Sequence, residues 1–281
     1  MTQDWIEKRD ALKKHGLVPY VCTSELFLNH LDLDILGPDT IVATAENSKD
    51  LSFHKAYVLA NALGFQNPDV QMPHWVYLDL VLLQTAVVGF ALEKERAPEE
   101  LVSHFKNDPK ITYDALTHIP FSGQTSGLGI DHESLMGFSL FSLRRYMKGL
   151  KFPALGHITK EASLRALKAD QDDKVFYGLT QYDNAAVPIH AGFAGRMYIQ
   201  KPRMLIHPLG DMSFMYRMDI NFDAAVEQNE EPNWKTIAAS DVEAKIEMER
   251  LQAEEGASFY ICHPYRILRD GEIYVPLSRE K

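Results

Sequence analysis

Cysteine is almost absent from the sequence, which holds only Cys22 and Cys262. A chain with two cysteines cannot build a disulfide framework or a zinc site of several thiolates. The apolar core of a signal peptide is missing too, because residues 1–16 alternate charged and apolar side chains. We therefore expect a cytoplasmic protein.

Basic residues are also fewer than acidic residues. The chain has 29 Lys and Arg residues against 39 Asp and Glu residues, which gives a net charge of −10. Nucleic acids and anionic membranes are bound through basic surfaces, so this balance argues against both partners and favours neutral or cationic ones. Much of the excess acid lies in residues 223–255, a pattern typical of a solvated helix face and its loop.

No hydrophobic run is free of polar residues over a membrane-spanning length. The most apolar run, Trp75 to Leu92, has Asp79 and Gln84 near its middle. We expect it to be buried structure, with no membrane partner. Its β-branched and aromatic residues predict two antiparallel strands.

What remains is an ordinary globular composition of 281 residues, 46% hydrophobic and 24% charged. This length can bury a core in one large domain or in two. Helix and strand signals alternate at first, and strand signals dominate later. We predict an α+β or α/β fold whose mixed, largely antiparallel sheet is flanked by helices and followed by a β-rich C-terminal portion. The predicted domains are residues 1–185 and a β-rich extension or second domain at residues 186–281.

Local periodicity and turn residues predict the elements. The predicted helices are Trp5–His15, Leu51–Leu63, Pro98–Phe105, His132–Lys148, Glu161–Ala169 and a helix that ends at Gly256. The predicted strands include Thr40–Thr44, Ile111–Pro120, Lys174–Tyr182, Arg196–Gln200, Ser213–Phe222 and a hairpin around Asp270-Gly271.

A glycine-containing segment separates the predicted strand Ile111–Pro120 from the predicted helix His132–Lys148. In such a loop, backbone amides and the helix dipole favour an anion such as a pyrophosphate. The spacing is neither that of a P-loop nor that of a dinucleotide fingerprint, and the simpler alternative is a loop that needs glycine only to turn. The candidate cofactor-binding residues are Gln124, Thr125, Ser126, Gly127, Leu128 and Gly129.

Gln124 to Gly129 resembles the Gln/Arg-x-x-Gly-x-Gly/Ala loop of the GNAT family of N-acetyltransferases, in which backbone amides hold the pyrophosphate of an acyl-CoA. Trp75 to Leu92 resembles the central hairpin of that family, and the resemblance extends over roughly residues 39–182. The family has an Asn where its second helix begins and a Gly-Phe pair after that helix. Lys160-Glu161 stand at the first of these positions, and Gly192-Phe193 comes later than the second.

The resemblance implies transfer of an acyl group from acetyl-CoA, or another acyl-CoA, to a small-molecule or peptide amine. That reaction needs a base for the amine and an acid for the leaving thiolate. His118, near the end of the predicted strand, is the candidate base, and Glu93 or Glu95 is an alternative. Tyr177 is the candidate acid. Each of these side chains also has an ordinary structural or surface interpretation.

Two other functions stay open. The eleven histidines include no His-x-His and no His-Glu-x-x-His motif, so no metal site is predicted and a metal-dependent hydrolase is the weaker alternative. A noncatalytic ligand-binding or dimerisation protein, including a homodimer, is the other alternative. Its basis is the methionine-rich stretch from Met197 to Phe222, which could give an adaptable apolar surface or simply form core strands.

Overall fold

A computed structural model describes residues 3–65, 71, 73–129, 133–147, 154–169, 175–222 and 231–280. The described residues form eight α-helices and twelve β-strands. Contacts between residues divide the chain into two compact units. Unit 1 comprises residues 1–128 and 138–168, and unit 2 comprises residues 129–137 and 169–281.

The elements have the following bounds. The helices are α1 Gln3–Lys14, α2 Glu25–Leu28, α3 Leu51–Gly64, α4 His74–Leu83, α5 Glu99–Asn107, α6 Leu155–Ala166, α7 Val187–Ala191 and α8 Val242–Glu255. The strands are β1 Leu17–Thr23, β2 Ile41–Thr44, β3 Thr85–Glu93, β4 His118–Leu128, β5 Ser134–Ser142, β6 Val175–Gln181, β7 Ala194–Lys201, β8 Ser213–Ile220, β9 Lys235–Ala238, β10 Ser258–Ile261, β11 Ile267–Arg269 and β12 Glu272–Glu280.

The strands of unit 1 follow the order β2-β1-β3-β4, and the second half of β5 lies beside β4. β1 and β2 are parallel, whereas β1–β3 and β3–β4 are antiparallel. Helix α3 contacts β4 through Thr125, and helix α6 contacts it through Ser122. Because side chains alternate along a strand, these positions place the two helices on opposite faces of the sheet.

Unit 2 begins with the first half of β5, which pairs in parallel with β6. The next strands, β8, β7, β10 and β12, are joined by antiparallel pairing, and β9 and β11 both pair with β12. Helix α7 contributes His190, whose ring stacks 5.2 Å from that of Tyr216. Helix α8 contributes Lys245, whose Nζ lies 4.6 Å from the ring of Tyr182.

The predicted fold class is confirmed: helices flank mixed, mostly antiparallel β-structure. Within the described residues, no helix is both long and apolar enough to cross a membrane. Most local predictions for the N-terminal helices and the C-terminal strands are also confirmed. At the end of α8, Gly256 adopts the left-handed conformation, with φ of 66°.

The hairpin predicted for Trp75 to Leu92 is wrong in its first half, which forms helix α4 before strand β3. Pro73 immediately precedes α4, a position that proline tolerates at a helix start. The helix is apolar on nearly every side, so it has no helical periodicity and the sequence resembles that of a buried strand.

Candidate functional site

Residues Gln124 to Leu128 lie inside strand β4 and not in a loop. Val88 pairs with Gln124, and Thr85 pairs with Gly127. Gly129 follows the strand, and its N–H donates to the carbonyl of Ser134 at the start of β5. The predicted loop is therefore wrong, and so is the helix predicted after it, because residues 134–142 form strand β5. His132, where that helix was expected to begin, lies outside the described residues.

The glycines of this strand are explained by close packing. A Cβ atom at Gly127 would lie 2.4 Å from the carbonyl oxygen of Gln84, and one at Gly123 would lie 2.5 Å from the hydroxyl of Tyr20. Glycine permits such close approach in a sheet as well as in a turn. The glycine spacing therefore indicates tight packing, which the sequence alone does not distinguish from a phosphate loop.

Thr125 of β4 belongs to a buried polar network beneath α3. The hydroxyl of Tyr57 lies 2.6 Å from Oγ1 of Thr125, which also accepts a hydrogen bond of 3.0 Å from Ser139 Oγ. Asn61 Nδ2 donates to Ser139 at 3.3 Å. Burial raises the pKa of Tyr57 to about 12, so its hydroxyl is neutral at physiological pH. This network holds α3 on the sheet.

Helix α6 is held on the opposite face by another set of buried polar contacts. Ser122 Oγ lies 2.7 Å from Thr159 Oγ1. Lys160 is completely buried, and desolvation holds the pKa of its amine well below the ordinary value. The carboxylate of Glu161 pairs with Lys8 and with Arg165. The helix is thus fixed in position along its length.

His118 is the first residue of β4 and is half-buried. Its Nδ1 lies 3.0 Å from Thr117 Oγ1. Burial lowers the pKa of His118, while Glu93 and Glu95 act in the opposite direction. A neutral imidazole at physiological pH suits a general base. Of the alternative bases, Glu93 pairs with Arg96.

Tyr177 lies in β6 and belongs to unit 2, whereas His118 belongs to unit 1. Tyr177 is half-buried and stands between Met136 of β5 and Arg217 of β8 in the strand register. Its predicted role as an acid stays a prediction.

Two positively charged residues follow β5, and the sequence analysis assigned them no function. Leu143 N donates to Phe121 O at 2.8 Å, so the end of β5 lies beside the beginning of β4. Arg144 and Arg145 follow in a 3-10 turn and are exposed. One guanidinium N–H of Arg145 donates to the carbonyl oxygen of Leu63. In the sequence, the signal that could have identified this positive charge is the pair of adjacent arginines after an apolar stretch.

Helix α6 is the next described element after that turn, and residues 148–153 lie outside the described residues. Its first intrahelical bond joins Ile158 N to Ala154 O at 3.1 Å. The N–H groups of Leu155 and Gly156 therefore have no acceptor within the helix, and Ala154 has no side-chain cap to offer. The helix dipole adds partial positive charge at this end.

Helix α7 is preceded by an Asn and followed by a Gly-Phe pair, two features that the sequence analysis looked for around an earlier helix. Asn184 precedes α7, and its Oδ1 accepts a hydrogen bond of 2.9 Å from Ala186 N. Gly192 is the C-cap of α7, and Phe193 is buried after it. The chain then enters β7.

The structure also bears on the other functional hypotheses. Within the described residues, no group of three or more His, Cys, Asp or Glu side chains could hold a metal ion. Met197 and Met218 are cross-strand partners in the buried core, which agrees with the core-strand interpretation for these two residues.

No protein-family model matches the chain, and a search of curated proteins finds no match.

Proposed function

We propose that the protein transfers an acyl group from a coenzyme A thioester to an amine, and that the acyl-CoA pyrophosphate binds after strand β5. The observation that carries the proposal is the segment of unit 1 that follows β5, where the exposed Arg144 and Arg145 precede α6, the next described helix. In α/β proteins, ligands bind at the carboxyl ends of strands, where the chain leads to a helix.

The chemistry of this end suits a pyrophosphate. Arg144 and Arg145 are exposed after β5, and the first amides of α6 lack intrahelical acceptors. A helix N-terminus favours a phosphate, and guanidinium groups bind a multiply charged phosphate through charge-assisted hydrogen bonds. The adenine nucleotide portion of coenzyme A carries such a group, whereas most small neutral metabolites do not.

The order of elements supports the same proposal through the family resemblance. In that resemblance, a pyrophosphate loop and a helix precede a second helix that begins near an Asn and is followed by Gly-Phe. Asn184, α7 and Gly192-Phe193 have these features in this order. We infer that α7 corresponds to the second helix of the family and α6 to the first, which moves the pyrophosphate site from Gln124–Gly129 to the end of β5.

His118 is the proposed general base of unit 1. It begins β4, next to the end of β5 that carries Arg144. Its lowered pKa keeps the imidazole neutral and able to accept a proton from an ammonium group or an intervening water. The proposed reaction breaks the thioester C–S bond and forms an amide C–N bond. The amine proton leaves through the base, and the thiolate takes a proton as it departs.

Calorimetric titration with acetyl-CoA tests the proposal. The double variant Arg144→Ala/Arg145→Ala is expected to lower affinity by about 10²–10⁴-fold, since each of the two lost charge-assisted contacts is worth about 1.5–3 kcal/mol. Arg250→Ala is the matched control, because it removes an exposed guanidinium from α8 of unit 2. Absence of saturable acetyl-CoA binding by the unsubstituted protein would refute the proposed function.

A further inference from the structure

Strand β9 forms one edge of the sheet in unit 2. Its four residues pair with β12 from Lys235 with Leu277 to Ala238 with Tyr274. On its other side, β12 pairs with β10 and β11. Within the described part of the chain, no strand pairs with the opposite side of β9.

The register shows which backbone groups are exposed along this edge. Ala239 N donates to Ile273 O, so Ala239 and, by alternation, Ile237 and Lys235 direct their backbone groups toward β12. Thr236 and Ala238 therefore direct their N–H groups away from the sheet. The C=O of Thr236 points the same way, whereas the C=O of Ala238 accepts a hydrogen bond of 3.0 Å from Asp241 N. Pro276 of β12 stands opposite Thr236 and has no N–H to donate. This agrees with the assignment, because Thr236 and Pro276 exchange no hydrogen bonds across the β9–β12 pair.

A groove of about 580 Å³ runs between β9 and helix α8. Its apolar lining includes Ile237, Ala244 and Ile246, and the side chain of Ile246 is 40% exposed. A strand edge beside an apolar groove can take an extended peptide, whose backbone pairs with the edge while alternate side chains enter the groove.

The charged residues that line the groove indicate which kind of peptide is complementary to it. Its two basic residues are already in ion pairs, Lys235 with Glu247 and Arg250 with Glu254. Asp241 accepts a hydrogen bond from Ala244 N and also lines the groove. Glu243 is exposed in the groove wall and makes no ion pair with any described residue. The remaining charge is negative, so a cationic partner is complementary.

We propose that β9 is a docking edge for an extended basic segment of another protein, which pairs with Thr236 and Ala238 and places an aliphatic side chain against Ile246. The proposal is independent of the acyltransferase function, because it uses only β9 and α8.

A fluorescein-labelled peptide of alternating Lys and Val residues tests this proposal by fluorescence anisotropy with the full chain. Thr236→Pro removes the outward N–H and leaves the β12 ladder intact, so we expect it to weaken binding by about tenfold or more. Thr236→Val retains the N–H and is the matched control, with expected affinity within about twofold of the unsubstituted chain. Glu243→Lys is expected to weaken binding through charge.

Two further probes keep the test independent of variant folding. A Lys-Val peptide N-methylated at alternate residues on one edge is expected to lose binding, because it cannot donate to the strand. A Glu-Val peptide is expected to bind at least about tenfold more weakly than the Lys-Val peptide.

Equal binding of both peptides, or equal binding by Thr236→Pro and Thr236→Val, would overturn the proposal. Concentration-dependent dimerisation of the peptide-free chain that Thr236→Pro abolishes would also overturn it, because the edge would then belong to a second copy.

Discussion

The hydroxyls of Thr125 and Tyr57 lie 2.6 Å apart in the buried interior of unit 1. Thr125 is completely buried, and Tyr57 reaches it from helix α3. A residue that the sequence places in a phosphate loop is therefore part of the contact that holds a helix on the sheet. This relationship separates the structural role of β4 from the ligand-binding role that we propose for the end of β5.

Substitution of Gly127 tests the structural role of β4. A Cβ atom there would lie 2.4 Å from the carbonyl oxygen of Gln84 and 2.6 Å from Thr85 Cγ2, so Gly127→Ala is expected to destabilise the fold by about 1–3 kcal/mol. Gly195→Ala is the control, because its Cβ would have no neighbour within 4 Å. Urea denaturation measures both variants. Folded Gly127→Ala is expected to keep its acetyl-CoA affinity, and selective loss of that affinity without loss of stability would contradict the assignment.

Lys160 gives a prediction about pH. Desolvation lowers its pKa in the folded protein, so the unfolded chain binds a proton at a higher pH than the folded chain does. Its contribution to stability is therefore favourable above the unfolded pKa and is lost progressively as pH falls from that value toward the folded pKa. Lys160→Met removes this dependence. The gain in free energy of unfolding from the substitution is expected to be larger at pH 7.5 than at pH 10.

Urea denaturation of both proteins at the two pH values checks this difference, since shared titrating groups cancel. An equal gain at both values would show that Lys160 takes up no additional proton on unfolding in this range.

His118 gives a prediction about the pH–rate profile of acyl transfer. Because burial lowers its pKa, the acidic limb of kcat/KM is expected below pH 6.5, with a plateau from pH 7 to pH 8. His118→Gln is expected to reduce kcat by about 10²–10⁴-fold and to abolish that limb, while acetyl-CoA affinity stays unchanged. Retention of the same limb in His118→Gln would assign the titration to another group.

The elements that the sequence predicts correctly are those with strong local signals. Helix α1 has charged residues along an exposed face, and the Asp270-Gly271 turn has positive φ at both residues. Helix α4 and strand β5 are different, because tertiary burial decides their structure. Leu135, Phe138 and Phe141 of β5 recur every third residue, which is compatible with a helix, yet they lie in a strand that buries Leu135 and Phe141.

The candidate site was predictable only in part. The sequence identifies His118 and Gly192-Phe193, but it does not show that β5 and β6 are parallel neighbours, because their pairing joins residues about forty positions apart. Glycine spacing directed the phosphate-site prediction to β4. The Arg144-Arg145 pair acquires its significance only when the strand before it and the helix after it are known.

Hydrogen exchange measured by mass spectrometry, with and without acetyl-CoA, tests the central claim most directly. Pyrophosphate bound at the start of α6 is expected to slow exchange in peptides that cover residues 154–158, where the first helical amides lack intrahelical acceptors. Peptides covering residues 124–128 are expected to stay unchanged, because these amides lie in a buried strand. Slower exchange confined to residues 124–128, or no change in either segment at saturating acetyl-CoA, would contradict the account.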